Sequence, residues 1–168
     1  VANTTGSNNT AVGSQALDAN TTGANNVAVG QNSLSANTTA SNHTAVGYNA
    51  LAANTTASNN TALGDRTLYT NTTGAQNVAV GGLALYTNNA DGNSAFGYSC
   101  MQYTTTGGAN CGFGYQTLTS NTTGQNNSAY GKSALQTNTT GSDNVAIGRD
   151  SLLLNEAGNN NVAVGVYA

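Results

Sequence analysis

A segment of the form Asn-Thr-Thr-Gly-x-Asn-Asn-x-Ala-Val-Gly-x-x-Ala-Leu-x-x recurs from one end of the chain to the other, and a period this short cannot enclose a globular core of its own. Each copy must therefore be one coil whose apolar surfaces are covered by the coils before and after it. Registered on the leading Asn or its substitute, the copies begin at Asn3, Asn20, Asn37, Asn54, Asn71, Asn88, Thr104, Asn121, Asn138 and Asn155. Every step is 17 residues except one of 16, which makes residues 88–103 an irregular coil. Residues 1–168 thus read as a single repeat domain of about ten coils.

Hydrophobic residues make up 38% of the chain and charged residues 5%, with two Phe and no Trp, so the interior must be built from small side chains packed closely. Pro is absent, which suits continuous backbone ladders in which every N–H is needed as a donor. No apolar stripe runs at helical spacing. An all-β parallel solenoid of short strands and turns, a β-roll, is expected instead of helical repeats. Three basic against six acidic residues leave no electrostatic footprint for nucleic acid or for an anionic membrane, and no run is long enough to span a bilayer. The chain opens at Val1 in mid-repeat, and its tenth copy stops at Ala168 before its Leu position. Both ends therefore read as those of an excerpt from a longer fibrous protein without capping coils.

Stacked copies turn the sequence into columns, and strand alternation assigns columns to faces. One face of the central strand carries Ala11, Ala28, Ala45, Ala62, Ala79, Ala95, Gly112, Ala129, Ala146 and Ala163, with a Gly two residues after each. The other carries Val12, Val29, Val46, Leu63, Val80, Phe96, Phe113, Tyr130, Ile147 and Val164, preceded by a Thr, Val, Ser or Cys column. Neither face is polar. One is expected to line the coil interior and the other to meet a second copy of the chain, so the Val12 to Val164 column is the inferred oligomer-interface or core column. A bulky column, Leu17, Leu34, Leu51, Leu68, Leu85, Met101, Leu118, Leu135 and Leu152, is placed on a second short strand as the filler of the interior. The Asn-Thr-Thr-Gly segments read as corners, although Ala40 and Ala57 in place of Gly argue that positive φ is not obligatory there. Asn9, Asn26, Asn60, Asn77, Asn93, Asn110, Asn127, Asn144 and Asn161, with His43 as the exception, are expected to form an amide ladder along the axis.

The segments Asn-Asn-Val-Ala-Val-Gly at 25–30 and 160–165, Gln-Asn-Val-Ala-Val-Gly at 76–81 and Asp-Asn-Val-Ala-Ile-Gly at 143–148 resemble the head repeats of trimeric autotransporter adhesins. The fuller pattern at 37–51 is similar to repeats of phage tail fibres that stand upstream of endosialidase-type chaperone domains. The resemblance implies a left-handed parallel β-roll, three chains side by side around a common axis and an extracellular location on a virion tail fibre or cell surface. It says little about ligand, because such repeats are scaffolds for different specificities.

Nothing in the columns clusters into catalytic or metal-binding chemistry, so neither an enzyme nor a cofactor or metal is expected. His43 reads as a substitution within the Asn ladder. Asp65-Arg66 and Arg149-Asp150 read as solvated surface pairs, while Cys100 and Cys111 bond only if their columns face each other. Tyr69 and Tyr86 share a column, and Tyr103 follows 17 residues on; these three are the candidate glycan contacts, with an interface or edge-covering role as the alternative. Seven Asn-Thr-Thr triplets are formal glycosylation acceptors that a turn-forming repeat produces without any such role. The functional expectation is a structural shaft or head segment of an extracellular homotrimeric fibre, with any cell-surface glycan or receptor engaged through other domains. An ice-binding solenoid and a self-assembling filament are the alternatives.

Overall fold

The computed structural model describes residues 2–168 and shows a parallel β-solenoid. Ten three-residue strands, β1 (Thr10–Val12), β2 (Val27–Val29), β3 (Thr44–Val46), β4 (Thr61–Leu63), β5 (Val78–Val80), β6 (Ser94–Phe96), β7 (Cys111–Phe113), β8 (Ser128–Tyr130), β9 (Val145–Ile147) and β10 (Val162–Val164), lie in chain order in one sheet. Pairing is column on column: Ala11 faces Ala28, Val12 faces Val29, and at the far end Ala163 faces Ala146. At about 4.8 Å per strand the sheet is about 43 Å long. No helix among the described residues is long and apolar enough to cross a membrane.

The central residue of each strand points into the coil. Ala28, Ala45, Ala62, Ala79, Ala95, Ala129 and Ala146 are fully buried, and only a methyl fits because Leu from the same interior fills the space opposite. Each strand is followed by a Gly with φ between 116° and 143°. A Cβ at any of these from Gly13 to Gly148 would come within 3.0 Å of another backbone or side-chain atom, almost always the backbone of the matching Gly one coil on. Conformation and stacking therefore both demand Gly in this column.

The Leu column fills the interior as expected, but it does not lie on a second strand. Leu17 to Leu152 and Met101 sit in turns with φ of 49° to 53°, the left-handed region that costs an L residue about 1–2 kcal/mol. Burial of these side chains from Leu17 to Leu135, with only Leu152 partly exposed, contributes about 1.5–3 kcal/mol each, enough to offset that cost. Left-handed geometry turns the chain sharply enough to aim Leu inward while its N–H still reaches the next coil, as in Leu34 to the Ala50 carbonyl at 3.0 Å.

The other half of the interior is made of amides. The ladder proper belongs to the leading Asn of the Asn-Thr-Thr corner: Asn20 Nδ2 donates to Asn3 Oδ1 at 3.0 Å, Asn37 to Asn20 at 2.9 Å, Asn71 to Asn54 at 3.2 Å and Asn138 to Asn121 at 2.9 Å. In the second Asn column, where the ladder was expected, the amides mainly serve the backbone. Asn60 Oδ1 accepts the N–H of Asn77 at 2.9 Å, and Asn60 Nδ2 donates to the Gly74 carbonyl at 2.9 Å. Side-chain amides link directly in this column only from Asn93 through Asn110 and Asn127 to Asn144, at 3.1 to 3.2 Å. The corners turn around a polar spine whose Asn amides bond to their own corner carbonyl and to the neighbouring coils, as Asn20 Nδ2 does to the Gly23 carbonyl and to Asn3 Oδ1.

The missing residue of the 16-residue coil is lost from the corner between Asn88 and Asn93, so β5 and β6 still pair in full register. Gly92, with φ of 72°, and Asp91, whose carboxylate accepts the Ala75 N–H at 2.7 Å, close the shortened corner. Ala40 and Ala57 occupy corner positions where Gly elsewhere shows no positive φ, in agreement with the sequence reading.

Candidate functional site

The outward face of the sheet is the largest candidate surface. Inward Ala forces its neighbours on each strand outward, so the Val12 to Val164 column lies on the outside of the rod. Exposure in the single chain is 37% at Val46, 42% at Ile147 and 67% at Val164. In the middle of the rod this column becomes aromatic. Phe96 and Phe113 stack at 4.5 Å with planes 5° apart, and Phe113 and Tyr130 at 5.3 Å and 8°. Two residues further along the chain, just past the ends of β6 and β7, Tyr98 and Tyr115 stack at 5.8 Å and 14°. Rings stacked along the axis cover one another's faces and present edges outward.

Cys100 and Cys111 are both free thiols. Cys100 is buried in the coil interior and burial pushes its thiol up to about 12, which removes it as a nucleophile at neutral pH. Cys111 is on the outward face, its Sγ 3.5 Å from the Tyr130 hydroxyl. Gly112 replaces the inward Ala of its column because a Cβ there would lie 2.8 Å from Cys100 Sγ and 2.9 Å from Met101 Cε. The structure joins Cys100, Met101 and Gly112 as one packing exchange.

His43 is buried in the second Asn column, as expected for a ladder substitution. Its Nδ1 accepts the Asn60 N–H at 3.2 Å and its other side hydrogen-bonds the backbone of Ala57, the two partners that an Asn Oδ1 and Nδ2 would take in the same place. Desolvation by burial lowers its pKa below the ordinary imidazole value, and the neutral ring satisfies both bonds. Asp65 and Arg66 pair at 3.1 Å and Arg149 and Asp150 at 3.4 Å, with both Arg side chains about half exposed; such pairs contribute little.

Tyr69 and Tyr86 stack at 5.2 Å and 23°, but Tyr103 does not join them. The shortened corner moves the register by one, so Thr87 pairs with Gln102 and Tyr103 with Thr119. Gln102 follows Tyr86 in the column, and Tyr103 stands in the next one. Asn20, Asn37, Asn54, Asn71, Asn121 and Asn138 of the Asn-Thr-Thr triplets are fully buried in the amide ladder, where a glycosylating enzyme cannot reach the folded chain. In most Asn-Thr-Thr corners the first Thr turns its hydroxyl to a backbone carbonyl of the next coil, as in Thr21 to the Thr38 carbonyl at 3.0 Å, while the second, such as Thr22, Thr39 or Thr56, is exposed. Among the described residues no three His, Cys, Asp or Glu side chains group closely enough to hold a metal ion. No protein-family model, no curated protein and no solved structure matches the chain.

Proposed function

We propose that this chain is a rigid shaft or head segment of an extracellular homotrimeric fibre, of the phage tail-fibre or surface-adhesin kind, which holds attachment domains at a distance. The observation that carries the reading is the outward column of ten residues, all apolar or aromatic, on a face opposite an inward Ala column that is fully buried from Ala28 to Ala146 apart from Gly112, which stands in place of Ala. Left in water it is an apolar stripe the length of the rod, more than soluble monomers usually expose. Rotation about an axis parallel to the rod brings three such stripes together and closes the assembly. The role is mechanical, and the chain acts without cofactor or chemistry of its own.

Light scattering on the protein with its natural flanking domains is expected to give three chains per particle. Val46→Asp, which places a charge at an exposed position of the single chain, is expected to leave the solenoid folded and to lower the particle mass. A wild-type monomer that stays soluble and folded would overturn the reading. The ice-binding alternative rests on the exposed second Thr of the Asn-Thr-Thr corners; thermal hysteresis of the purified protein would favour it, and none is expected.

A further inference from the structure

The flank of the rod carries a second aromatic feature, away from the sheet. Tyr69 and Tyr86 follow the buried Leu of their coils, where the two preceding coils carry Ser35 and Ala52. Tyr86 covers one face of Tyr69. Toward the other side the column falls from a phenol ring to a methyl group, and the step leaves a recess of about 260 Å³ lined by Asn32, Ser35, Asn49, Ala52, Ala53 and Tyr69. All of these except Tyr69 belong to the two coils before it, so the recess lies against the ring face that Tyr86 leaves free.

The polar rim is set by backbone geometry. Asn32 and Asn49 occupy successive left-handed positions, φ 57° and 54°, tied coil to coil by the Asn32 N–H to the Ser14 carbonyl at 2.9 Å and the Asn49 N–H to the Gln31 carbonyl at 3.0 Å. Asn32 Oδ1 is buried without a hydrogen-bond partner, an amide end that a soft terminal torsion can turn toward an incoming hydroxyl. The Ser35 hydroxyl makes only a long contact, 3.4 Å to the Ala52 carbonyl.

We propose that this recess is a binding subsite for one neutral pyranose ring of a glycan. A sugar ring has one apolar C–H face and a rim of hydroxyls. The free face of Tyr69 takes the first, and the amides of Asn32 and Asn49 with the Ser35 hydroxyl take the second. No charged side chain lines the recess, which selects against acidic sugars, and its volume, below the roughly 300–1,000 Å³ of drug-sized sites, fits a single ring. The five stacked aromatic residues of the sheet face, Phe96, Phe113, Tyr130, Tyr98 and Tyr115, differ, because mutual stacking leaves mainly edges outward. The subsite does not depend on the number of chains in the fibre, so its failure would leave the proposed trimer standing.

The test is saturation-transfer NMR on the intact chain with methyl pyranosides of glucose, galactose, mannose and N-acetylglucosamine. At least one is expected to receive saturation concentrated on the ring protons of one face. Tyr69→Ala is expected to weaken it tenfold or more, Tyr69→Phe to retain it and Tyr115→Ala to leave it unchanged. Tyr69→Leu, which keeps apolar volume without a ring, takes the place of the Ala variant if that one fails to fold, with the same loss expected. No transfer to any of the four sugars, unchanged transfer without the Tyr69 ring, or an equal loss in Tyr115→Ala overturns the proposal.

Discussion

Two spines run side by side through the coil interior, one of Ala and Leu and one of Asn, and they answer substitution differently. Along the apolar spine Met101 stands for Leu, Cys100 and Thr117 stand where Ala16 and Ala50 do, and Gly112 gives up a methyl to make room. All remain buried, because dispersion contacts have no direction and volume can be exchanged among neighbours. The amide spine keeps its bonds at a foreign residue only when the same donor and acceptor reappear in the same place. His43 meets that condition. Thr104, which replaces a ladder Asn, does not: its Oγ1 is buried without a partner. A solenoid this thin is thus held by packing on one side and by directional bonds on the other.

The contrast breaks most sharply at Asn71. Asn71→Leu keeps the volume but leaves Asn54 Oδ1 buried without its donor, and it removes one of two bonds at the Gly74 carbonyl and at Asn88 Nδ2, which keep Asn60 Nδ2 and the Ala90 carbonyl as partners. The orphaned oxygen costs about 1–3 kcal/mol and each lost bond about 0.5–1.5 kcal/mol, so a loss of about 2–4 kcal/mol is expected in denaturant melts. Leu68→Met, one spine across, is expected to cost less than about 1.5 kcal/mol, and similar losses for the two would erase the distinction.

Gly112→Ala sharpens the apolar side. The added methyl would meet Cys100 Sγ and Met101 Cε, an overpacking expected to cost about 1–3 kcal/mol. The triple variant Gly112→Ala, Cys100→Thr, Met101→Leu copies the next coil, where Thr117 and Leu118 precede Ala129, and is expected to recover that loss in thermal melts.

The smallest effect is the pH response of His43. Because burial lowers its pKa from 6.5, the unfolded chain binds the proton first. The stability contributed by the neutral ring is fully present above about pH 6.5 and is lost as pH falls from there toward the folded value. The slope is at most about 1.4 kcal/mol per pH unit. His43→Asn is expected to remove it, so the two proteins should differ more in melting temperature at pH 5 than at pH 7.5.

Much of this was legible in the sequence, because a strict period exposes each column. The parallel registry, the buried Leu, the place of His43 and the corner Gly that tolerates Ala followed from alternation and spacing, whereas the inward turn of the Ala face did not, because neither face of the strand is polar. The turn conformation of the Leu column did not, since bulky residues avoid positive φ and only burial against the neighbouring coils reverses that preference. The exchange of ladder roles between the two Asn columns was hidden too, as both columns are equally regular and only three-dimensional distance separates amide-to-amide from amide-to-backbone bonding. Tyr103 was misplaced because a one-residue deletion can be located only by the register it preserves. The recess beside Tyr69 had no signal except a change of side-chain size down one column.

Residue-resolved hydrogen exchange at the second Asn column tests most directly whether the amide spine is a core in its own right. The backbone N–H groups of Asn26, Asn77 and Asn110 donate to side-chain oxygens of the preceding coil at 2.9 Å, and not to a backbone ladder. They are expected to be protected as strongly as the strand-end N–H groups of Gly47 and Gly81, which donate to backbone carbonyls at 2.8 Å. Exchange of the Asn amides at the rate of solvent-exposed loops, with the Gly amides still protected, would contradict it.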